Sequence, residues 1–163
     1  MRGNKMGVNT VFMYRLIKEK SGFSRQTAIA VTALAAIETG WWRNRFIRTH
    51  FNPFSLHWAE WQKKYGGQPG QYERDDRSAP MTRFPSLEKG VEAAIALLKG
   101  KIYSIKPNDD WHTVYNKLYK PLDPPNDTKY GSPRWALNPP KRDTFINVCQ
   151  KVEKILRENG ILD

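Results

Sequence analysis

The chain has 163 residues, and its 39% apolar and 12% aromatic residues are typical of one folded domain rather than a disordered chain. Its 27 Lys and Arg residues outnumber its 16 Asp and Glu residues, so the formal net charge is +11 and anionic partners such as nucleic acid, anionic lipid or bacterial wall polymers are favoured. The one cysteine, Cys149, excludes an intrachain disulfide and is interpreted as a small core residue. The chain contains no run of about 20 apolar residues, so membrane insertion is not predicted.

The first half of the chain predicts two helices followed by a loss of regular pattern. Asn9 is a candidate N-cap for the first helix, which Gly22 ends. Ser24 is a candidate N-cap for the second helix, which Gly40 ends. Apolar residues lie on most faces of this second helix, so we predict that it is the central helix of the core. Residues 71–84 then predict a small hairpin or irregular lobe.

The second half predicts three more helices, because apolar residues recur there at helical spacing. The first of these helices is predicted to begin at Ser86 and to end at Gly100. The second begins after Asp109 or Asp110 and ends at Pro121. The third begins at Asp143 and ends before Gly160. Residues 121–140 hold six of the eleven prolines and predict a long extended loop. The fold class that follows is α+β and helix-dominated: one domain over residues 1–163, with a β-like lobe at about residues 60–84.

Glu38 is the candidate functional carboxylate. It lies in the last turn of the predicted central helix, where the negative end of the helix dipole favours Lys or Arg instead. Trp41 and Trp42 follow it and indicate an aromatic-lined cleft. Desolvation and the helix terminus would both raise the pKa of this carboxyl, which a general acid requires. The alternative is a surface glutamate paired with Arg43 or Arg45.

The segment AAIETGW at residues 35–41 resembles the A-x-x-E-S/T-G-W helix end of the lysozyme-like cell-wall glucosaminidases, which include flagellar peptidoglycan hydrolases and autolysins. Similar segments follow in that family's order: NPFS at 52–55, RFPSLE at 83–88 and KIY at 101–103. The resemblance covers about residues 24–120. It implies a lysozyme-like fold with a small β-hairpin lobe, peptidoglycan as substrate and Glu38 as catalytic acid. The chain departs from the family at Ser55, where glycine is usual, at His57, where lysine is usual, and at Pro85, where tyrosine often stands.

A second group must activate water or stabilise the cationic intermediate of glycoside cleavage. The resemblance favours Glu73, in the predicted lobe, while Glu60, Asp75 and Asp76 are alternatives and all could simply be solvated surface charges. In a third route the 2-acetamido oxygen of the substrate attacks the anomeric carbon, and Tyr103 would steady it. Packing is the alternative role for Tyr103.

Aromatic and polar residues after Glu38 are the candidate substrate-binding set. They are Trp41, Trp42, Asn52, Phe54, His57, Trp58 and Trp61. His57 and Glu60 have the spacing of two metal ligands on a helix, but no partner motif accompanies them, so neither a metal nor a cofactor is predicted.

These features predict a peptidoglycan hydrolase that cleaves β-1,4 glycosidic bonds, of the N-acetylglucosaminidase type. A muramidase or a lytic transglycosylase on the same substrate is the nearest alternative, although the G-L-M-Q segment usual in the latter does not occur. A non-catalytic basic module that binds nucleic acid or wall polymers is the alternative from another class, but no nucleic-acid-binding motif supports it. No signal peptide is recognised. The expectation is a monomeric, endolysin-like bacteriolytic protein, cytoplasmic until released or carried on a virion.

Overall fold

The computed structural model describes residues 7–72, 79–119, 135–136 and 139–161. Helices dominate, and two short antiparallel strands complete an α+β architecture, as the sequence predicts. The elements in chain order are α1 (Thr10–Ser21), α2 (Arg25–Thr39), α3 (Arg45–Thr49), the 3-10 helix η1 (Glu60–Tyr65), β1 (Gln68–Pro69), β2 (Thr82–Arg83), α4 (Leu87–Lys99), α5 (Trp111–Tyr119) and α6 (Arg142–Glu158).

Helix α2 lies at the centre of the core, which confirms the prediction for this segment. Every residue from Thr27 to Ala36 is buried, and α2 packs against α1, α5 and α6. Alanine is frequent in this stretch, and its small side chain allows neighbouring helices to approach from several sides. The Ser24 hydroxyl accepts a hydrogen bond from the Thr27 N–H at the start of the helix, and Gly40 ends it with a left-handed φ of 56°.

Two further N-caps are the predicted residues, and one is not. Asn9 caps α1 and Ser86 caps α4, each accepting a hydrogen bond from the N–H three residues ahead. The prediction that Asp143 caps the last helix is wrong, because α6 begins at Arg142. Asp143 instead lies in the first turn, where its charge meets the positive end of the helix dipole.

The β-like lobe follows α3 and contains η1 and the two strands. Gln68 pairs with Arg83 and Pro69 with Thr82, so the first strand lies before the predicted hairpin segment 71–84. Short helices at α3 and η1 occupy the stretch in which the sequence pattern shows no helix. Residues 73–78 of the lobe, and most of the proline-rich segment 121–140, lie outside the described residues.

No helix in the described ranges is both long enough and apolar enough to cross a lipid bilayer.

Helix α4 approaches the turn after α3 so closely that Gly90 has no room for a side chain. A Cβ at Gly90 would collide with the carbonyl oxygen of Phe51 and would lie 3.1 Å from Cδ of Pro53. Glycine inside a helix lowers the stability of the helix by about 1 kcal/mol relative to alanine. At Gly90 this loss accompanies the close packing of α4 against the turn. The contact holds the 51–55 turn against the helical core.

We therefore expect Gly90→Ala to lower the free energy of unfolding by about 1–3 kcal/mol, since the overpacking cost exceeds the gain in helix propensity. Gly100→Ala is the matched control, because a Cβ at Gly100 meets nothing closer than 3.3 Å and its φ of −70° suits alanine. Urea unfolding of both variants measures the difference. A Gly90→Ala protein as stable as the wild type would show that the turn does not lie this close to α4.

Candidate active site

The chain turns sharply directly after Glu38. Gly40, Trp41 and Trp42 have φ values of 56°, 57° and 73°, which are three consecutive left-handed residues, two of them bulky. Thr39 holds this turn, because its hydroxyl donates to the carbonyl of Ala35 at 2.8 Å and accepts from the N–H of Trp42 at 2.9 Å. The last turn of α2 is therefore fixed on both sides of Glu38.

Left-handed residues other than glycine collect at the predicted site. In the described ranges they are Trp41, Trp42, Phe51, Ser55 and Ser104. Each of them is a predicted site residue, is next to one in sequence, or belongs to one of the family-like segments. The left-handed conformation of each residue costs about 1–2 kcal/mol relative to ordinary backbone. Ser55 has a φ of 56°, a conformation that glycine adopts without strain. Strain concentrated in this way is typical of functional sites.

Glu38 is half-buried beside this strained turn. The hydroxyl of Ser55 donates to the backbone carbonyl of Glu38 at 3.3 Å, so the 52–55 segment lies against the end of α2. The last turn of α2 carries no basic residue. The guanidinium of Arg45, one of the two arginines considered as ion-pair partners, lies 4.8 Å from the ring centroid of Phe46.

Helix α5 brings Tyr119 to the same end of the molecule as Glu38. The indole N–H of Trp111 donates to the carbonyl of Gln26 at 3.0 Å, and the Thr27 hydroxyl donates to the carbonyl of Asp109 at 2.6 Å. The start of α5 therefore lies beside the start of α2, and the two helices are in contact. Burial raises the pKa of Tyr119, and the nearby negative charge of Glu38 raises it further, so the phenol stays neutral.

An aromatic cluster lies next to these residues. The ring of Trp135 contacts the ring of Tyr103, with centroids 5.3 Å apart, and the ring of Phe54, with centroids 6.3 Å apart. The backbone N–H of Trp135 donates to the carbonyl of Leu118 near the end of α5. Burial raises the pKa of Tyr103 to about 12, so this predicted site residue is also a neutral phenol. Trp135 itself is half-buried.

Three of the predicted substrate-binding residues are buried. The side chain of Asn52 donates to the carbonyls of Leu56 and Thr82 and accepts from the N–H of Leu56, so its amide is used within the fold. Phe54 is fully buried, and the indole N–H of Trp42 donates to Thr10 at 3.0 Å. Their predicted contact with substrate is therefore corrected to an indirect one: they hold the turns on which more accessible residues stand.

The other predicted residues lie around the lobe and at the end of α2. Trp41, Trp58 and His57 are half-buried, and His57 forms an isolated backbone bridge with Met81. Glu73, the predicted second carboxylate, lies outside the described residues, as do its alternatives Asp75 and Asp76. Glu60, the remaining alternative, is an exposed partner of Lys63.

Trp61 contributes to a separate groove between η1 and the end of α4. The groove has a volume of about 430 Å³, and Trp61 and Ile102 are 38% and 55% exposed in it. Trp61 packs edge-on against Tyr65, with ring centroids 6.2 Å apart. The lining residues combine apolar surface with two cations and include Trp61, Lys64, Tyr65, Leu97, Lys101 and Ile102.

Within the part of the chain that the structure describes, no three His, Cys, Asp or Glu side chains lie close enough together to hold a metal ion. A scan against models of known protein families, a search of curated proteins and a search of solved structures find no match to this chain. Assignment of a function therefore depends on the geometry described above and on the motif resemblance.

His50 attaches the lobe to the helical core through two hydrogen bonds, and a third bond to Thr49 orients its ring. Its buried ring accepts the N–H of Gln71 at Nε2, 3.0 Å away, and its carbonyl accepts the N–H of Phe84 at 2.8 Å. Nδ1 lies 2.7 Å from the hydroxyl of Thr49, which itself donates to the Arg45 carbonyl. Because Nε2 accepts and Nδ1 donates, the ring is the neutral tautomer in this arrangement.

Acidification should therefore weaken the fold through His50. Burial lowers its pKa below the ordinary value of 6.5, and the charges of Arg83 and Arg45 lower it further. Below about pH 6.5 the unfolded chain takes up a proton that the folded chain excludes, so the free energy of unfolding falls as the pH falls, by up to about 1.4 kcal/mol per pH unit.

Urea unfolding between about pH 7.5 and 5.5 tests this slope. His50→Gln should flatten it, whereas His112→Gln, at an exposed position, should leave it unchanged. An unaltered slope in the His50 variant would assign the pH dependence to other groups.

Proposed function

We propose that this protein is a peptidoglycan hydrolase of the N-acetylglucosaminidase type, with a lysozyme-like arrangement in which Glu38 is the general acid. The observation that carries the proposal is the position of Glu38: half-buried in the last turn of α2, whose residues 27–36 are all buried, and beside a strained turn. The electrostatic effect of Glu38 on the pKa of Tyr119, and the contact of Tyr103 with the half-buried Trp135, are consistent with an aromatic site near this helix end. The AAIETGW motif at the same helix end supports the same chemistry.

In the proposed reaction Glu38 donates its proton to the glycosidic oxygen while the bond from that oxygen to the anomeric carbon breaks. The proposal requires Glu38 to stay protonated near neutral pH. Desolvation and the negative end of the α2 dipole both act in that direction. Aromatic faces such as that of Trp135 offer apolar surface to the sugar rings. Glu73 as the water-activating base, and Tyr103 as the group that steadies an attacking acetamido oxygen, remain sequence-based predictions.

The lysine-rimmed groove at Trp61 would extend this site along a glycan strand that carries acidic peptides. Trp61 and Tyr65 provide aromatic surface, and Lys64 and Lys101 provide positive charge for carboxylates. The net charge of +11 would add a long-range attraction to anionic wall polymers in general.

Replacing Glu38 tests the chemistry directly. Glu38→Gln keeps the shape of the side chain but removes the transferable proton, so we expect release of soluble fragments from purified peptidoglycan to fall at least about a hundredfold. Glu158→Gln, at an exposed carboxylate at the end of α6, is the matched control and should retain full activity. Full activity of Glu38→Gln with a native circular dichroism spectrum would contradict the assignment.

Mass analysis of the wild-type digest distinguishes the related enzymes. Reducing N-acetylglucosamine ends are expected from the proposed activity. Reducing muramic acid ends would indicate a muramidase, and anhydro-muramic ends would indicate a lytic transglycosylase.

Replacing Trp61 tests the groove. Trp61→Ala removes an aromatic surface worth about 1 kcal/mol of binding, so KM for peptidoglycan should rise roughly fivefold with little change in kcat. Phe12→Ala is the matched control, because Phe12 is a similarly exposed aromatic residue on α1, outside this groove. Equal KM values in the two variants would remove Trp61 from the substrate-binding set.

A further inference from the structure

Helix α3 and the turn before it carry arginines without neighbouring acidic residues in the sequence. From residue 39 to residue 59 the chain contains Arg43, Arg45 and Arg48, and neither Asp, Glu nor Lys. All three arginines are exposed. In the part of the chain that the structure describes, the ion pairs join acids to cations on other elements. The positive charge of this segment is therefore not neutralised by any described ion pair.

Strand β2 brings a fourth guanidinium to the end of α3. An N–H of the Arg83 guanidinium donates to the carbonyl of Thr49, the last residue of α3, at 3.0 Å. The backbone N–H of Phe84 donates to the next carbonyl, that of His50, at 2.8 Å. A guanidinium has five N–H donors, so the half-buried Arg83 retains donors for a further acceptor. These four residues form what we call the arginine surface: Arg43, Arg45, Arg48 and Arg83.

Contacts within the fold hold the guanidiniums of this surface close together. Nη1 of Arg48 lies 3.4 Å from the carbonyl oxygen of Arg43, and Cζ of Arg45 lies 4.8 Å from the ring centroid of Phe46. Arg45 and Arg48 are neighbours on the helix because they are three residues apart, and α3 from its first to its last residue rises only about 6 Å. Side chains that are restrained before binding lose less conformational entropy when a ligand arrives.

The kind of cation and the lack of exposed aromatic rings indicate the chemistry of the ligand. A guanidinium is a planar fork that can bind two oxygens of one phosphate, whereas an ammonium group acts as a point charge. The groove at Trp61 contains lysines, but the cations of α3 and β2 are all arginines. Single-stranded nucleic acids stack their bases on aromatic side chains. Phe46, the aromatic residue of α3, is only 4% exposed, so the surface favours a phosphate polymer that has no bases.

We propose that the arginine surface binds a polymer of the bacterial wall whose repeating units are joined by phosphodiester groups. The inference rests on the proposed function for the choice of a wall polymer, and on the arginines for the choice of phosphate. It assigns a second binding surface, different in chemistry from the groove at Trp61. A polymer bound there holds the protein on the wall independently of glycosidic bond cleavage.

Binding of the full chain to purified poly(glycerol phosphate), measured by calorimetry between about 50 and 200 mM salt, tests the proposal. The double variant Arg45→Gln and Arg48→Gln removes two exposed guanidiniums, so Kd should rise about tenfold or more. The slope of log Kd against log salt concentration should also decrease by about 1.4, because each phosphate contact to a single strand contributes about 0.7.

The matched control is the double variant Lys151→Gln and Lys154→Gln, which removes the same charge from exposed positions of α6. Its Kd should change by less than about twofold, and its salt slope should be that of the wild type. An equal loss of affinity in the two double variants would show that net charge alone governs binding, and would overturn the proposal.

Both double variants should unfold at the urea midpoint of the wild type, because all four positions are exposed. If the arginine double variant is destabilised, Arg48→Gln alone decides, since its described contact is the long one of 3.4 Å to the Arg43 carbonyl. Its Kd should rise about threefold, and a wild-type Kd in a natively folded Arg48→Gln protein would overturn the proposal.

Three other probes identify the partner. They are polyglutamate, single-stranded DNA and vesicles that contain phosphatidylglycerol, each at the same concentration of negative charge as the poly(glycerol phosphate). Weaker binding of all three is expected, because the first lacks phosphate, the second requires stacking surfaces and the third presents its phosphates on a plane. Equal or tighter binding of any of them would overturn the assignment to a phosphodiester polymer of the wall.

The binding measurements do not depend on turnover, so they fail separately from the proposed function. A protein that binds poly(glycerol phosphate) through Arg45 and Arg48 but is inert toward peptidoglycan overturns the proposed function and keeps the arginine surface as a phosphodiester-binding site. A protein that digests peptidoglycan, but whose arginine double variant binds poly(glycerol phosphate) as the wild type does, overturns this inference alone.

Discussion

The candidate site depends on the central helix α2, whose last turn carries Glu38. Helix α2 is enclosed by α1, α5 and α6, so its direction and its last turn are set by packing on several sides. Glu38 lies in that last turn, and the chain leaves it through the left-handed residues 40–42. Two bulky residues in this conformation together cost about 2–4 kcal/mol, a substantial fraction of the stability of a small domain. The packing of α2 and the hydrogen bonds of Thr39 must offset that cost for Glu38 to be held where it is.

The segments around α2 each bring one contribution to that end. The 52–55 turn, held against α4 by the close approach at Gly90, lies against the backbone of Glu38. Helix α5 adds Tyr119, and the carbonyl of its penultimate residue binds Trp135. The lobe is connected through His50, whose hydrogen bonds require a neutral ring. A site assembled from four separate segments is precise only while all of these attachments hold, so the stability of the fold and the geometry of the site are linked.

Local sequence signals predicted the helices well, and tertiary contacts explain where they did not suffice. Cap residues such as Ser24 and a helix that is apolar on most faces can be recognised without a structure, because both depend on neighbours in sequence. The same periodicity placed Tyr119 on the apolar stripe of α5 like any core residue. Only the structure shows that its buried hydroxyl has no hydrogen-bond partner among the described residues. For Asn52 the error was the reverse: a polar residue in a family-like motif suggested binding, whereas its amide satisfies three backbone groups.

The basic character of the chain and the proposed acid chemistry at Glu38 make opposite electrostatic demands. A net charge of +11 would favour binding to the proposed anionic wall, but positive charge near a carboxyl also lowers its pKa and would ionise the proposed proton donor. Distance would resolve the conflict, because exposed charges more than about 8–10 Å apart are largely screened at physiological ionic strength, whereas burial and a helix terminus act within one turn. Lys64 and Lys101 line the outer groove, and the last turn of α2 contains no basic residue. Attraction of the substrate and control of the proton can therefore occupy different parts of one small domain.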